Sequence, residues 1–224
     1  MFEEGDKIVY PNHGAGTIVG IETKEILGEE KKYYIMELPI GEMRVMIPVE
    51  KVDDIGIRDV IDAEEAEDVF HLLKGEKSKM SQNWNRRYRA NMEKLKTGDI
   101  FEVGEVVRNL TLRDEEKGLS TGEKKMLSNA RQILISELVL ARDEEKEEIE
   151  GMIEETFAET IKKRQKEREE RQKEEERQKE EEKARKAAEE DEETNADEDE
   201  ENNTEETTEE SSEQNNKEES SEDK

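Results

Sequence analysis

The run Asn83-Trp84-Asn85-Arg86-Arg87-Tyr88-Arg89 sets three arginines around two aromatic rings in a chain whose formal net charge is −28. Guanidinium groups pair with phosphate oxygens as rigid forks, and an indole can stack on a base or wedge into a base step. These are the residue types of a nucleic-acid contact. The segment from Lys74 to Lys96 holds eight basic residues against Glu76 and Glu93, a local charge of +6. An acidic chain repels DNA as a whole, so a basic island marks where such a contact would be made. At helical spacing Trp84, Arg87, Tyr88 and Asn91 share a face, with Arg86 and Arg89 beside it. Two readings stay open. Either the rings pack in a helical core and the arginines form a solvated rim, or the arginines hold phosphates while the indole meets DNA. Lys124 and Lys125, near the start of a later helix, would extend the second arrangement.

No competing chemistry reaches the same density. His13 lies in a turn and His71 on an apolar helix, where a partly buried position is expected, and neither has the spacing of a metal site such as H-E-x-x-H. His13-Gly14-Ala15-Gly16 is not followed by the lysine and hydroxyl residue of a phosphate loop. The chain has no cysteine, which excludes disulfides and thiolate metal ligands and fits a reducing cytoplasm. No catalytic residues, metal or cofactor are expected, and binding is the better class than enzymology. No stretch approaches the ~20 apolar residues of a membrane span, and the start Met1-Phe2-Glu3-Glu4 lacks a signal pattern. A cytoplasmic protein with no membrane partner is the expectation.

Two kinds of element must position these residues. Residues 6–55 alternate apolar and polar side chains in short runs rich in Val, Ile and Tyr, the pattern of a small antiparallel sheet. Strands are expected at 7–10, 16–26, 32–38 and 44–48, with a short fifth near 52–55. Turns are expected at Pro11-Asn12-His13-Gly14, Leu27-Gly28-Glu29 and Pro39-Ile40-Gly41-Glu42. Four or five short strands suggest a small SH3- or Tudor-like barrel that closes its sheet. From Asp62 the apolar period changes to about 3.6. Asp62 with Glu65 caps a helix ending at Gly75, Ser81 caps a second ending at Thr97-Gly98, and a third runs from Asp99 to about Glu116 before Gly118. Ser120-Thr121-Gly122-Glu123 is a capping box opening a fourth helix to about Arg142, and a weaker amphipathic stretch holds Ile149, Met152, Ile153 and Phe157.

Composition limits the rest. Only 30% of the chain is hydrophobic and 46% is charged, so much of it cannot be packed. From 161 to 186 Lys, Arg, Glu and Gln alternate, consistent with a solvated single helix supported by pairs four residues apart. From 187 to 224 the chain carries 19 acidic against 2 basic residues and no aromatic. Such a segment buries too little to offset its chain entropy, and disorder is expected there. The chain therefore reads as α+β, with a β domain at 1–57, a helical domain at 62–160, a charged segment at 161–186 and an acidic tail.

With these motifs in order, the chain resembles the CarD family of bacterial transcription regulators over residues 1–157. The resemblance is carried by Gly5-Asp6-Lys7-Ile8-Val9-Tyr10-Pro11-Asn12-His13-Gly14, by Asn83 to Asn91 with Glu93-Lys94-Leu95, and by Gly118 to Leu127 running into Ala130-Arg131-Gln132-Ile133-Leu134. The first module alone also resembles the polymerase-interacting domain of transcription-repair coupling factors. The resemblance implies that residues 1–57 bind the β1 lobe of the RNA polymerase β subunit in sigma-containing holoenzyme. It also implies that the helical module contacts promoter DNA at the upstream edge of the bubble and stabilises the open complex; a monomer is expected. Trp84 matches the family's minor-groove wedge, and Arg86, Arg89 and Lys124 match its backbone contacts. At two sheet positions where better-known members carry arginines this chain has Lys24 and Met46, with Arg44 two residues before Met46 on the same strand face. The alternative is a protein-only adaptor with Trp84 in its core and no direct DNA contact.

Overall fold

The computed structural model describes residues 1–26, 29–40 and 43–214, with side chains described over 1–25, 29–40 and 43–186. Strands β1 (Lys7–Tyr10), β2 (Gly14–Ile26), β3 (Glu29–Glu37), β4 (Arg44–Pro48) and β5 (Arg58–Asp59) form one antiparallel sheet in the order β4-β3-β2-β1-β5. Period-2 alternation turns Ile8, Ile18, Tyr34, Met36 and Ile47 into its core. The expected turns at 27–29 and 39–42 fall partly outside the described residues.

Two expectations need correction. Residues 52–55 are not a strand. They form a short helix α1 (Val52–Ile55) after a 3-10 turn at Val49–Lys51, and Gly56 ends it in the left-handed region at φ 80°. The fifth strand is Arg58–Asp59, which pairs with β1 through Val9 and Ile8. Nor does strand pairing close the sheet, because no β4–β5 ladder exists among the described residues. Val49, Val52, Ile55 and Ile57 pack on the sheet core instead, so the helical turn covers apolar surface that a closing strand would have buried.

The helices follow their local signals closely. α2 (Ala63–Lys74) starts at the Asp62–Glu65 capping box and ends at Gly75, burying Ala66, Val69, Phe70 and Leu73. His71 is exposed on it rather than partly buried. α3 (Trp84–Thr97) is capped by Asn83, whose side-chain oxygen accepts the Arg86 N–H at 3.1 Å, and not by Ser81. Ser81 Oγ instead accepts the Asn83 N–H at 3.3 Å. α4 (Ile100–Lys117) is capped by Asp99, and α5 (Thr121–Arg142) by the Ser120–Glu123 box. Ile149, Ile153 and Phe157 on α6 (Lys146–Gln214) complete a shared helical core with α2, α4 and α5. The loop between α2 and α3 is pinned to α4. Arg108 donates to Leu72 O and Ser78 Oγ, and Asn109 Oδ1 accepts the Ser78 N–H.

Residues 1–164 form one compact unit, so sheet and helices are docked. Ala15 N–H donates to Ser136 Oγ at 2.9 Å, and Gly14 (φ 108°) lies so close to that hydroxyl that a Cβ would stand 2.5 Å from it. Arg58 forks onto both Glu137 oxygens at 2.6 and 2.9 Å and also donates to Gly98 O, while the Ile61 N–H reaches Glu137 at 3.3 Å. Burial pushes the Glu137 carboxyl above its ordinary value near 4.5, and the Arg58 and Ile61 donors offset part of that rise. Acid therefore favours the folded state at this site, and the contribution falls as pH rises from about 4.5 through the raised value. Arg58→Ala removes the cation and is expected to cost about 3 kcal/mol at neutral pH. The loss measured by urea unfolding should be smaller at pH 4 than at pH 7; a pH-independent loss would contradict the assignment.

Residues from Gln165 onward form a second unit. Over 165–186 every described side chain is exposed or nearly so, and ion pairs four residues apart include Lys166–Glu170, Arg177–Glu181 and Lys186–Glu182. The helical backbone of α6 is described to Gln214. The disorder expected over 187–224 concerns residues whose side chains, and from 215 whose backbone, lie outside the described set.

Candidate nucleic-acid interface

Trp84 opens α3 directly after its Asn83 cap, so its side chain projects from the helix end. It is 43% exposed, which does not meet the core reading. The ring is nevertheless held. Its plane stacks on Tyr88 one turn later, with centroids 5.2 Å apart and an interplanar angle of 27°. Its indole Nε1–H donates to Ser120 Oγ at 2.9 Å. Gly122, on the first turn of α5, lies against both rings: a Cβ there would be 3.6 Å from Trp84 Cζ2 and from Tyr88 Cε2.

Behind the rings lies a buried ion pair. Arg87, expected from spacing to face DNA, is only 3% exposed, and its Nε donates to Glu123 Oε1 at 2.7 Å. Its Nη1 donates to the carbonyls of Ser81 and Gln82 at 2.9 and 3.2 Å. Arg87 thus joins the start of α3 to α5, and its guanidinium is not placed to meet a phosphate. The reason is the helical face itself: Arg87, Asn91 and Leu95, four residues apart, are the buried residues of α3, and Arg87 meets Glu123 of the capping box. Burial alone would raise the Glu123 carboxyl, but the hydrogen bonds from Arg87 and Ser120 outweigh it and hold the group below the ordinary carboxylate value.

The basic island is partly spent in the same way. Lys77 pairs with Glu116, Lys94 with Glu105 and Lys96 with Glu93, besides Arg87 with Glu123. Arg86 and Arg89 are exposed on α3, and Lys124 and Lys125 are exposed on α5 just after Gly122; none makes an ion pair among the described residues. These four exposed cations lie on the two helices that hold the exposed, oriented indole, residue types suited to phosphate contacts beside an aromatic insertion. Sequence reasoning missed Ser120, Gly122 and Glu123 as its supports. The capping box was visible, but nothing local in it told that a tryptophan 36 residues earlier would use the same hydroxyl.

The second candidate surface lies on the sheet. Arg44 and Met46 sit two residues apart on one face of β4, paired in register with Glu37 and Ile35. Met46 is 47% exposed, and Lys24 Nζ on β2 lies 3.3 Å from its Sδ, so the structure brings Lys24 and Met46 together. Both cations already have carboxylates, Lys24 with Glu22 at 3.1 Å and Arg44 with Glu37 at 2.8 Å. The face is therefore a methionine rimmed by charge pairs rather than a free basic patch. Among the described residues no cluster of three or more His, Asp or Glu could hold a metal, and no helix is long and apolar enough to cross a membrane.

Comparison with known proteins agrees along both parts of the described chain. The model of the CarD C-terminal domain matches residues 68–154, and that of the CarD-like/TRCF RID domain matches residues 2–61. YdeB of Bacillus subtilis (strain 168), assigned by its name to the transcription factors, is 46% identical over 138 residues, spanning 62% of this chain and 90% of YdeB. Among solved structures, CdnLNt from Myxococcus xanthus is 41% identical, covering 27% of this chain and 86% of its own with a TM-score of 0.24. The 72-residue N-terminal domain of Myxococcus xanthus CarD is 34% identical, covering 26% and 79%, also with a TM-score of 0.24.

Proposed function

Since the chain belongs to the CarD-like family of transcription factors, we propose that it binds RNA polymerase and promoter DNA together and stabilises the open complex. The sheet face around Lys24, Arg44 and Met46 meets the β1 lobe of the polymerase β subunit. The end of α3 meets the upstream edge of the bubble, with Trp84 against the fork and Arg86, Arg89, Lys124 and Lys125 on the backbone. The observation that carries this reading is the state of Trp84: 43% exposed, yet fixed by a stacked ring and a hydrogen bond. An exposed tryptophan held in one pose is arranged for a contact outside the chain. Mechanistically, a ligand favours a state only through its differential affinity. An aromatic wedge must unstack intact duplex but finds a melted edge already open, so it gains more from the open complex.

Two measurements bear on the surfaces separately. Lys24→Glu/Met46→Glu places two carboxylates on the outer sheet face and is expected to abolish co-purification with RNA polymerase while leaving unfolding by urea near the parent's. Capture at the parent level would remove this face from the assignment. Arg86→Ala and Arg89→Ala are each expected to lower the slope of log affinity against log salt for forked DNA by about 1. An unchanged slope in both would mean that neither meets a phosphate.

A further inference from the structure

The Ser120 hydroxyl has every hydrogen-bonding capacity in use. Its oxygen accepts the Trp84 indole N–H at 2.9 Å and the Glu123 backbone N–H at 3.3 Å, and its own hydrogen is donated to Glu123 Oε2 at 2.9 Å. A hydroxyl offers one donor and two acceptor lone pairs, so this oxygen has no freedom to turn away. The acceptor side is equally fixed, because the other Glu123 oxygen takes the Arg87 Nε–H at 2.7 Å in a buried pair. A chain of hydrogen bonds thus runs from the interior ion pair to the edge of the exposed indole. Tyr88 backs one face of that ring, and Gly122 leaves room for both.

We infer that Ser120 is a positioning residue for Trp84: it sets the pose in which the indole meets DNA and occupies the ring's one hydrogen-bond donor. This rests on the proposed DNA contact and adds its mode. With Nε1–H committed to Ser120, Trp84 addresses the fork through its ring surface, by shape and stacking, and not by donating to the minor-groove acceptors that A·T and T·A pairs share. The capping role of Ser120 alone would not require the indole to take its hydroxyl.

The test uses the full chain and compares Ser120→Gly, Ser120→Thr and Trp84→Ala. Glycine is tolerated at a helix start but removes the acceptor, whereas threonine keeps both cap and hydroxyl. Trp84 is the only tryptophan, so one indole N–H resonance reports the bond by its hydrogen exchange. Ser120→Gly is expected to speed that exchange at least tenfold and to weaken forked-DNA binding about three- to tenfold, the cost of ordering a freed side chain on binding. Ser120→Thr is expected to restore both. Parent-level forked affinity in Ser120→Gly, alongside a weakened Trp84→Ala, would overturn the positioning role and leave the DNA contact standing, as would failure of threonine to rescue. Parent-level affinity in Trp84→Ala would overturn the contact itself, and the positioning role with it.

Discussion

Trp84→Ala is expected to bind forked DNA about ten- to a hundredfold more weakly than the parent chain, while capture by RNA polymerase stays unchanged. The size follows from base–aromatic stacking, worth about 1–3 kcal/mol per base. The asymmetry follows from where the residue sits. Its ring is 43% exposed, stacks on Tyr88 and bonds Ser120 at the protein surface, so truncation removes little of the core. The apolar cluster beneath, with Leu95, Val107, Ala130 and Leu134, does not include it. The variant should therefore unfold in urea near the parent midpoint. Fluorescence anisotropy of a labelled fork, measured at fixed salt for both proteins, gives the comparison. The phosphate contacts proposed for Arg86, Arg89, Lys124 and Lys125 would remain, so the residual binding should keep the parent's salt slope. Equal forked affinity in the two proteins would mean that the indole serves another partner.

Glu123→Ala is expected to be the most destabilising of the single changes, by about 3–5 kcal/mol, a Tm fall on the order of 10 °C for a unit of this size. Three losses coincide. Arg87, 3% exposed, is left as a buried cation with only the carbonyls of Ser81 and Gln82, the α5 capping box disappears, and the Ser120 hydroxyl loses its acceptor. The double variant Arg87→Met/Glu123→Leu should recover most of the stability, because an apolar pair of similar volume removes the uncompensated charge. Recovery of stability without recovery of forked-DNA binding would separate the buried pair's structural task from its support of Trp84. The pH dependence has the opposite sign to that at Glu137. Although burial works against it, the Arg87 and Ser120 bonds hold the folded-state pKa of Glu123 below the unfolded value near 4.5. Its contribution is therefore present above that value and lost as pH falls through the lowered one. Calorimetry from pH 7 down to pH 3 should show the gap between parent and Glu123→Ala closing in acid.

Much of this architecture was legible in the chain because its signals are local. The boundaries of α2 and α5 coincide with capping boxes, and Gly75, Gly98 and Gly118 stand at helix ends. What could not be read there depends on partners distant in sequence. Val52 and Ile55 are β-branched, but Asp53 and Asp54 between them disfavour a strand, and the segment forms a helical turn that packs Val52 and Ile55 on the sheet core. Arg87 and Arg89 are indistinguishable by composition. Only the docking of α5, which brings Glu123 under α3, decides that one is interior and the other exposed. The docking of α4 acts likewise, since its Glu116 and Glu105 take Lys77 and Lys94, so a segment of +6 presents fewer free cations than its count suggests. Lys24 and Met46 could be picked out in the sequence as departures from the family's arginines, but neither their contact nor the carboxylates already paired with Lys24 and Arg44 could be read there.

If Trp84, delivered by the sheet to the polymerase as proposed, holds the promoter open, the lifetime of the open complex must depend on this residue. The most direct measurement is the lifetime of competitor-resistant open complexes formed by purified RNA polymerase with no addition, with the parent chain and with Trp84→Ala. The expected result is a longer lifetime with the parent and a lifetime close to that of polymerase alone with the variant. No extension by the parent, or equal extension by both proteins, would contradict it.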